Sequence, residues 1–301
     1  MAGNYDRNNP WNRDDDQSVL EIYDMETGVR TTAAEFDVLI EAPNWTPDGK
    51  SLIFNGGGRI HRFDLDTGAV ETIDTGFACH CNNDHVLSAD GTMLAVSHHS
   101  REDGQSRIYT LPVTGGEPRL ITPLAPSYLH GWSPDGQTLA YCAERGGEYD
   151  VYTIPACGGV ETRLTDAPGL NDGPEFDSAG EYIWFNSVRS GLMQAWRMKA
   201  DGSEQTQMTF DPEWNTWFPH ISPDRAQVVM LCYKKGDLEP WEHLPHKFVE
   251  LRAMNADGSN LRTLVRLFGG QGTINVNSWS PDSRKFAFVS YKIRGIGIPE
   301  E

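Results

Sequence analysis

Short runs of hydrophobic residues recur along the chain, and each run follows a polar turn. Six segments carry the same turn pattern: Asn44–Gly49, Val86–Gly91, Gly131–Gly136, Glu175–Gly180, His220–Arg225 and Ser278–Ser283. Successive turns lie 42, 45, 44, 45 and 58 residues apart. Four of these spacings fit one period of about 44, and the fifth contains an insertion, so the chain is built from six repeats.

Most repeats contain the pattern of two hairpins. A strand-like hydrophobic run, such as 51–54 or 139–142, follows the Pro-Asp-Gly turn, and an alternating run with a glycine turn follows in most repeats. Four short antiparallel strands of this kind form one blade of a propeller. The sequence therefore predicts an all-β fold, a six-bladed β-propeller with four antiparallel strands per blade.

The two ends of the chain complement each other. The last repeat has residues for only two strands before its Gly-, Ile- and Pro-containing tail, whereas residues 18–24 and 29–33 have the pattern of a third and a fourth strand. We expect these N-terminal strands to join the C-terminal blade and close the ring, which removes exposed sheet edges. This predicts a polar flexible tail over residues 1–17 and a single propeller domain over residues 18–301.

Composition narrows the possible partners. Hydrophobic residues make up 38% of the chain, and its formal net charge is −18. A protein this acidic repels nucleic acid and anionic membranes, and no apolar run approaches the ~20 residues of a membrane span. The N-terminal residues lack the apolar segment of a secretory signal, so we expect a cytoplasmic protein, or a periplasmic one if a leader has been removed.

The turns carry a resemblance to a known family. The motifs Trp132–Gly136 and Trp279–Asp282 resemble the WD40-like (PD40) repeats of the TolB propeller, and the resemblance extends over roughly residues 18–292. It implies a TolB-like propeller without the N-terminal α/β domain of TolB, and hence little basis for a role in the Tol-Pal system. The same propeller type also resembles oligogalacturonate lyases, whose funnel holds a divalent metal on His and Gln side chains.

Histidines mark one face of the predicted propeller. In or beside the loops that connect blades, or that join second and third strands, lie eight of the nine: His80, His85, His98, His99, His130, His220, His243 and His246. These loops share one face, so we expect a functional funnel there. Its predicted ligand-binding residues are Tyr128, Asp172, Glu175, Trp217, Asn275 and Asn277.

The tryptophans divide into two groups. Trp45, Trp132 and Trp279 directly precede the Ser/Thr-Pro-Asp motif, so we expect them to pack between blades. A second group lies off that repeat position and could form a sugar platform: Trp214, Trp217 and Trp241.

The histidines in and around the insertion near the fifth blade allow the interpretation that they form a metal site. His220, His243, His246 and Gln271 could supply imidazole and side-chain carbonyl ligands to Mn, Fe, Ni or Zn. The alternative is that His220 bonds to a neighbouring loop and the other two histidines tether the insertion.

Two functions remain open on the sequence. The first is a binding propeller that holds a glycan, a peptide or a protein partner in the His-rich funnel. The second is a metal-dependent carbohydrate-active enzyme, resembling the lyase propellers, in which His85 or His130 abstracts a proton. Fold alone does not separate the two.

Overall fold

Six antiparallel sheets follow one another around the ring of a computed structural model that describes residues 16–295, 297 and 298. In the first three complete blades the strands are β3 (Ile40–Trp45), β4 (Ser51–Gly56), β5 (Arg59–Asp64) and β6 (Val70–Ile73); β7 (Cys81–Leu87), β8 (Met93–His99), β9 (Ser106–Pro112) and β10 (Arg119–Leu120); and β11 (Ser127–Trp132), β12 (Thr138–Arg145), β13 (Glu148–Pro155) and β14 (Thr162–Arg163).

Two further complete blades and a closing blade finish the ring. Their strands are β15 (Asn171–Phe176), β16 (Tyr182–Ser187), β17 (Gln194–Lys199) and β18 (Thr206–Gln207); β19 (Trp214–Ile221), β20 (Gln227–Lys234), β21 (Lys247–Asn255) and β22 (Arg262–Gly269); and, in the closing blade, β1 (Asp16–Asp24), β2 (Arg30–Phe36) and β23 (Lys285–Ile293). The predicted six-bladed, all-β propeller is confirmed.

The N-terminal strand closes the ring, as predicted. β1 lies between β2 and β23 and pairs with β23 over nine residues, from Asp16 opposite Ile293 to Asp24 opposite Lys285. Two residues of the predicted polar tail, Asp16 and Gln17, therefore belong to a strand, and the rest of that tail, residues 1–15, lies outside the described residues.

The closing blade departs from the predicted four strands. Within the described residues its sheet has three, and the innermost position is reduced to a single bridge between Trp279 and Phe286. The preceding residues form a 3-10 turn over Gln271–Thr273 and an irregular segment instead. We call residues 270–277 the inner segment; because no ladder holds them in the blade, they are free to reach across the central channel.

The repeated turn owes its sequence to a local hydrogen-bond network. In the third blade the Ser133 hydroxyl donates to Asp135 at 2.6 Å and accepts from the amide of Thr138 at 2.9 Å. Gly136 closes the turn with a φ of 71°, in the left-handed region that glycine adopts without strain. The Ser/Thr-Pro-Asp-Gly pattern is thus a turn signal rather than a functional motif.

Each innermost strand of the five complete blades contains a bulge at an equivalent place. The register shifts fall at Glu41/Asn44, Cys81/His85, Leu129/Gly131, Asp172/Glu175 and Trp217/His220. A bulge interrupts the alternation of side chains between the two faces of a strand and re-aims them. Polar side chains that strict alternation would bury between blades can therefore point toward the channel.

The hydrophobic core lies between adjacent blades. Leu20 on β1 is fully buried in a cluster that also contains Leu52 and Phe54 of the first blade and Val289 of β23. Closure of the ring therefore depends on apolar packing as well as on the β1–β23 ladder.

We predict that Leu20→Ala lowers the free energy of unfolding by about 2–5 kcal/mol, because it leaves a cavity at the ring closure. Val29→Ala is the matched control, since Val29 is 54% exposed and its truncation should cost little. Urea denaturation measures both.

Deletion of residues 18–34 should abolish cooperative unfolding altogether, and a deletion protein that unfolds like the parent would refute this account of closure.

Candidate functional site

A cavity of about 530 Å³ opens on the face that carries the inter-blade loops. It lies against the second and third blades, the start of the fourth blade, the insertion and the inner segment. The residues that line it are Asn82, Asp84, Tyr128, His130, Cys142, Gly147, Glu148, Tyr149, Gly169, Leu170, Asp172, Trp241, His243, Gln271 and Asn275. Its size is in the range of small-molecule sites.

The bulges supply the ionisable groups of the cavity. Asp84, His130 and Asp172 come from three successive innermost strands, β7, β11 and β15, and lie in or at the bulge of each. All three side chains are buried, with residue exposures of 4%, 6% and 7%. Three buried ionisable groups from three blades therefore converge on one floor.

His130 and Asp172 form an ion pair on that floor. His130 Nε2 lies 3.1 Å from Asp172 Oδ1 and 4.0 Å from Asp84 Oδ1. Burial lowers the pKa of His130, but the two carboxylates outweigh this effect and the net pKa is raised. Burial raises the pKa of Asp172, but His130, His243 and the Gly173 amide outweigh it and the net pKa falls to about 2. When His130 is protonated, its charge neutralises one of the two carboxylates.

Asp84 has weaker compensation. Burial is the main cause that raises its pKa, and Asp172 adds to the effect, although His130 acts in the opposite sense. Its oxygens accept hydrogen bonds from the side-chain amides of Asn275 and Asn82, each at 2.6 Å. The floor therefore holds more negative than positive charge whenever Asp84 is ionised.

The inner segment forms the part of the floor that crosses the channel. Asn275, which follows β22 of the fifth blade, donates to Asp84 in the second blade, so one hydrogen bond spans the funnel. Gly272 allows this path, because a Cβ atom there would lie 2.6 Å from Glu41 Cβ. A larger residue would push the segment away from the channel wall.

The insertion between β20 and β21 covers one side of the cavity. Its Trp241 is 56% exposed at the mouth, and its His243 packs edge-on against Trp217 with ring centroids 4.3 Å apart. His243 Nε2 lies 3.8 Å from Asp172 Oδ2, beyond hydrogen-bond distance. Burial lowers the pKa of His243, which keeps this imidazole neutral at pH 7.

The structure brings some of the predicted site residues together. Those that line the cavity are Tyr128, His130, Asp172, Trp241, His243, Gln271 and Asn275. Those that lie elsewhere are His85, Glu175, Trp214, Trp217, His220, His246 and Asn277. The division follows from packing between blades, which the sequence pattern does not encode.

Glu175 and His220 form a buried structural pair. His220 Nδ1 lies 2.6 Å from Glu175 Oε2, and its Nε2 lies 2.8 Å from the carbonyl oxygen of Ile274. The Asn277 side chain donates to the other carboxylate oxygen of Glu175. The group fastens the inner segment to the fourth and fifth blades, which is the structural alternative considered for His220.

The proposed metal ligands do not fit a shared ion. Both ring nitrogens of His220 face oxygen acceptors, and Nε2 of His246 lies 2.8 Å from Asp16 Oδ1. In the part of the chain that the structure describes, no group of three or more His, Cys, Asp or Glu side chains is arranged to hold a metal ion. His243 and Gln271 line the cavity without the other two residues.

Three further expectations change with the structure. Trp217 is fully buried beneath His243, so it supports the insertion and offers no platform for a sugar. Trp214 packs under Arg252, whose guanidinium lies 4.2 Å from the ring centroid. His85 is fully buried away from the cavity, where a substrate does not reach it.

Sequence reasoning missed one wall of the cavity. Cys142, Glu148 and Tyr149 come from β12 and β13 of the third blade. The available signal was the Gly146-Gly147 turn, which places the start of β13 on the same face as the histidine-bearing loops. Tyr149 contributes an aromatic surface to the mouth, and burial raises its pKa to about 12.

We predict that His220→Ala lowers the free energy of unfolding by about 3 kcal/mol, because it leaves the buried Glu175 carboxylate and the Ile274 carbonyl without this partner. His99→Ala is the control, since the His99 ring makes an exposed contact with the Gly104 carbonyl and lies 6.5 Å from the ring of Tyr128, without a buried charged partner. Chemical denaturation gives both values. A variant as stable as the parent would contradict the structural role of His220.

We predict a pH signature from His85, whose ring nitrogens have no hydrogen-bond partner of normal geometry among the described residues. Burial lowers the pKa of His85 from 6.5 to about 4. Between these two pH values the unfolded chain binds a proton at this histidine and the folded protein does not. The free energy of unfolding is therefore unaffected by His85 titration above pH 6.5 and decreases as the pH falls from 6.5 toward 4. As the pH falls from 6.5 to 4, the free energy of unfolding of His85→Leu should therefore rise by about 3 kcal/mol relative to that of the parent. Denaturation at several pH values measures the difference, and a constant difference would refute the prediction.

Comparison with known proteins agrees with this architecture. The family model for the TolB beta propeller domain, PD40, matches residues 124–240. The chain is 46% identical over 276 residues to the uncharacterized protein Atu1656 of Agrobacterium fabrum, covering 91% of this chain and 92% of that protein. No helix within the described residues has the length and hydropathy needed to cross a bilayer.

Solved structures agree with the sequence relatives. A TolB-like protein from Agrobacterium tumefaciens superposes with a TM-score of 0.87 at 45% identity, over 92% of this chain and 98% of its own. TolB from Acinetobacter baumannii superposes with a TM-score of 0.62 at 20% identity, over 82% of this chain and 63% of its own. An oligogalacturonate lyase in complex with manganese superposes with a TM-score of 0.54 at 16% identity, over 83% of this chain and 74% of its own. At these low identities, the last two structures show a shared fold and nothing more. The chain belongs to the TolB-like family of six-bladed β-propellers.

Proposed function

We propose that this protein is a binding propeller that holds a ligand, or a side chain of a partner, in the cavity on its funnel face. The observation that carries the proposal is the convergence of Asp84, His130 and Asp172, from three blades, on the floor of a 530 Å³ cavity. Ligand sites commonly contain a few convergent polar groups that fix the orientation of the ligand.

The mouth of the cavity supports the same conclusion. Tyr128, Tyr149 and Trp241 line it, and Trp241 is more than half exposed although it is a large aromatic residue. Exposed aromatic rings at a polar cavity provide surface for a ligand at a low cost in side-chain entropy. A glycan, or an extended peptide segment, has the shape to use both the rings and the polar floor.

A carbohydrate-active enzyme is the second candidate. His130 is the one of the two proposed bases that reaches the cavity, and its contact with Asp172 gives it the arrangement of a general acid-base pair. The metal that this mechanism assigned to His220, His243, His246 and Gln271 lacks a convergent set of ligands. Among the residues that the structure describes, no lysine or arginine lines the cavity to hold a uronate carboxylate in its place.

Ligand-detected nuclear magnetic resonance tests the proposal with neutral oligosaccharides, oligogalacturonate and short peptides. We expect at least one probe to bind the parent protein. Trp241→Ala should lower the affinity for that probe by about 2- to 10-fold, because a stacked aromatic contact contributes about 0.5–1.5 kcal/mol. Phe210→Ala is the matched control, since Phe210 is 73% exposed and does not line the cavity.

The outcomes separate the two candidates. Binding that Trp241→Ala leaves unchanged would exclude this cavity as the site. Turnover of oligogalacturonate to an unsaturated product, with loss of turnover in His130→Ala, would favour the enzyme over the binding protein.

A further inference from the structure

We propose that the cavity selects an organic cation, an ammonium or guanidinium group, presented either by a small amine or by a lysine or arginine side chain of a polypeptide. This inference rests on the proposed binding function and names the class of its ligand. It follows from three features of the cavity: its carboxylates, the unpartnered amide oxygen of Asn275 and its aromatic surface.

Carboxylates outnumber basic side chains among the described residues of the lining. Asp84 and Asp172 lie on the floor and Glu148 lies exposed at the rim, whereas none of the lining residues is a lysine or an arginine. His130 is the one cationic side chain among them, and Asp172 already pairs with it at 3.1 Å. A cationic ligand compensates Asp84 and Glu148, whereas an anion would face both of them.

One side-chain oxygen among the lining residues lacks a donor within the described part of the chain. Asn275 is 1% exposed, and among the described residues its Oδ1 atom has no hydrogen-bond partner. Its orientation is fixed, because its Nδ2 donates to Asp84 Oδ1 at 2.6 Å. Ammonium and guanidinium groups donate several hydrogen bonds and accept none.

Aromatic rings are the third feature. Tyr128, Tyr149 and Trp241 line the same cavity as the carboxylates. The negative face of an aromatic ring attracts an organic cation, and the ring also packs against the methylene groups that carry the charge. A flexible alkylammonium side chain can therefore contact the aromatic rings with its methylene groups and the carboxylates with its charged end.

The test compares matched probes by ligand-detected nuclear magnetic resonance at low ionic strength. The probes are the Nα-acetyl N-methylamides of lysine, arginine and norleucine, together with galacturonate and a neutral disaccharide. Lysine and norleucine differ by the charged group at nearly the same length. We expect the lysine or arginine derivative to bind at least about 10-fold more tightly than the norleucine derivative.

Two variants locate the binding. Asp84→Asn should weaken the cationic probe by at least about 10-fold, because it removes the carboxylate on the floor. Glu148→Gln should weaken it by about two- to fivefold, and it keeps the test valid if Asp84→Asn fails to fold. Glu213→Gln is the matched control, since it removes the same charge from an exposed side chain outside the cavity.

A second arm distinguishes the two sources of the cation. A Gly/Ser peptide with one central lysine is compared with the lysine derivative alone. Tighter binding of the peptide assigns the site to a polypeptide partner, and equal or weaker binding assigns it to a small amine. Either result supports a cation site.

The failures of the two proposals differ. Binding of the neutral or anionic probe in preference to the cations, with loss in Asp84→Asn, overturns the cation inference and leaves the binding function intact. Cation binding that neither Asp84→Asn nor Glu148→Gln weakens also overturns the inference, because it reflects general attraction to an acidic surface. If no probe of any class binds the folded parent protein, both proposals are overturned.

Discussion

The pairing of β1 with β23 is the interaction on which the ring depends. Nine consecutive residues of the N-terminal strand form a ladder with the last strand of the chain. The side chain of Leu20 in the same strand packs in a hydrophobic cluster with residues of the first blade. Without this pairing, β23 would expose a long unpaired edge and the two ends of the ring would lose their shared apolar surface. The cavity depends on the same closure, since the inner segment and β23 belong to the blade that β1 completes.

Closure at this point also explains the unusual inner segment. In the five complete blades the innermost position is a bulged strand, whereas in the closing blade it is reduced to one bridge at Trp279. The freed backbone lets Asn275 reach Asp84 across the funnel and lets the Ile274 carbonyl meet His220. A loss of regular structure in one blade thus becomes the floor of the site.

The family and the function rest on different parts of the molecule. The turns, the ladders and the packing between blades define a TolB-like propeller, and these features are shared with proteins whose names indicate different roles. The cavity is where a particular ligand would be selected. Its floor, with Asp84 beside the His130–Asp172 pair, favours positive charge, and that preference sets it apart from a site for an acidic sugar.

The sequence by itself determined the number of blades, the order of the strands and the closure by the N-terminus, because turn residues and alternating apolar positions act locally and repeat with a fixed period. It also placed His130, Asp172, Asn275 and Trp241 on the correct face. Only the tertiary structure decided which of these side chains meet. The bulges break the period of two that would otherwise assign each side chain to a face, and the insertion buries Trp217 while it leaves Trp241 exposed. The sequence leaves both a metal role and a structural role open for His220, because its partners, Glu175 and Ile274, are 45 and 54 residues away in sequence, and only the closed ring brings them within hydrogen-bond distance.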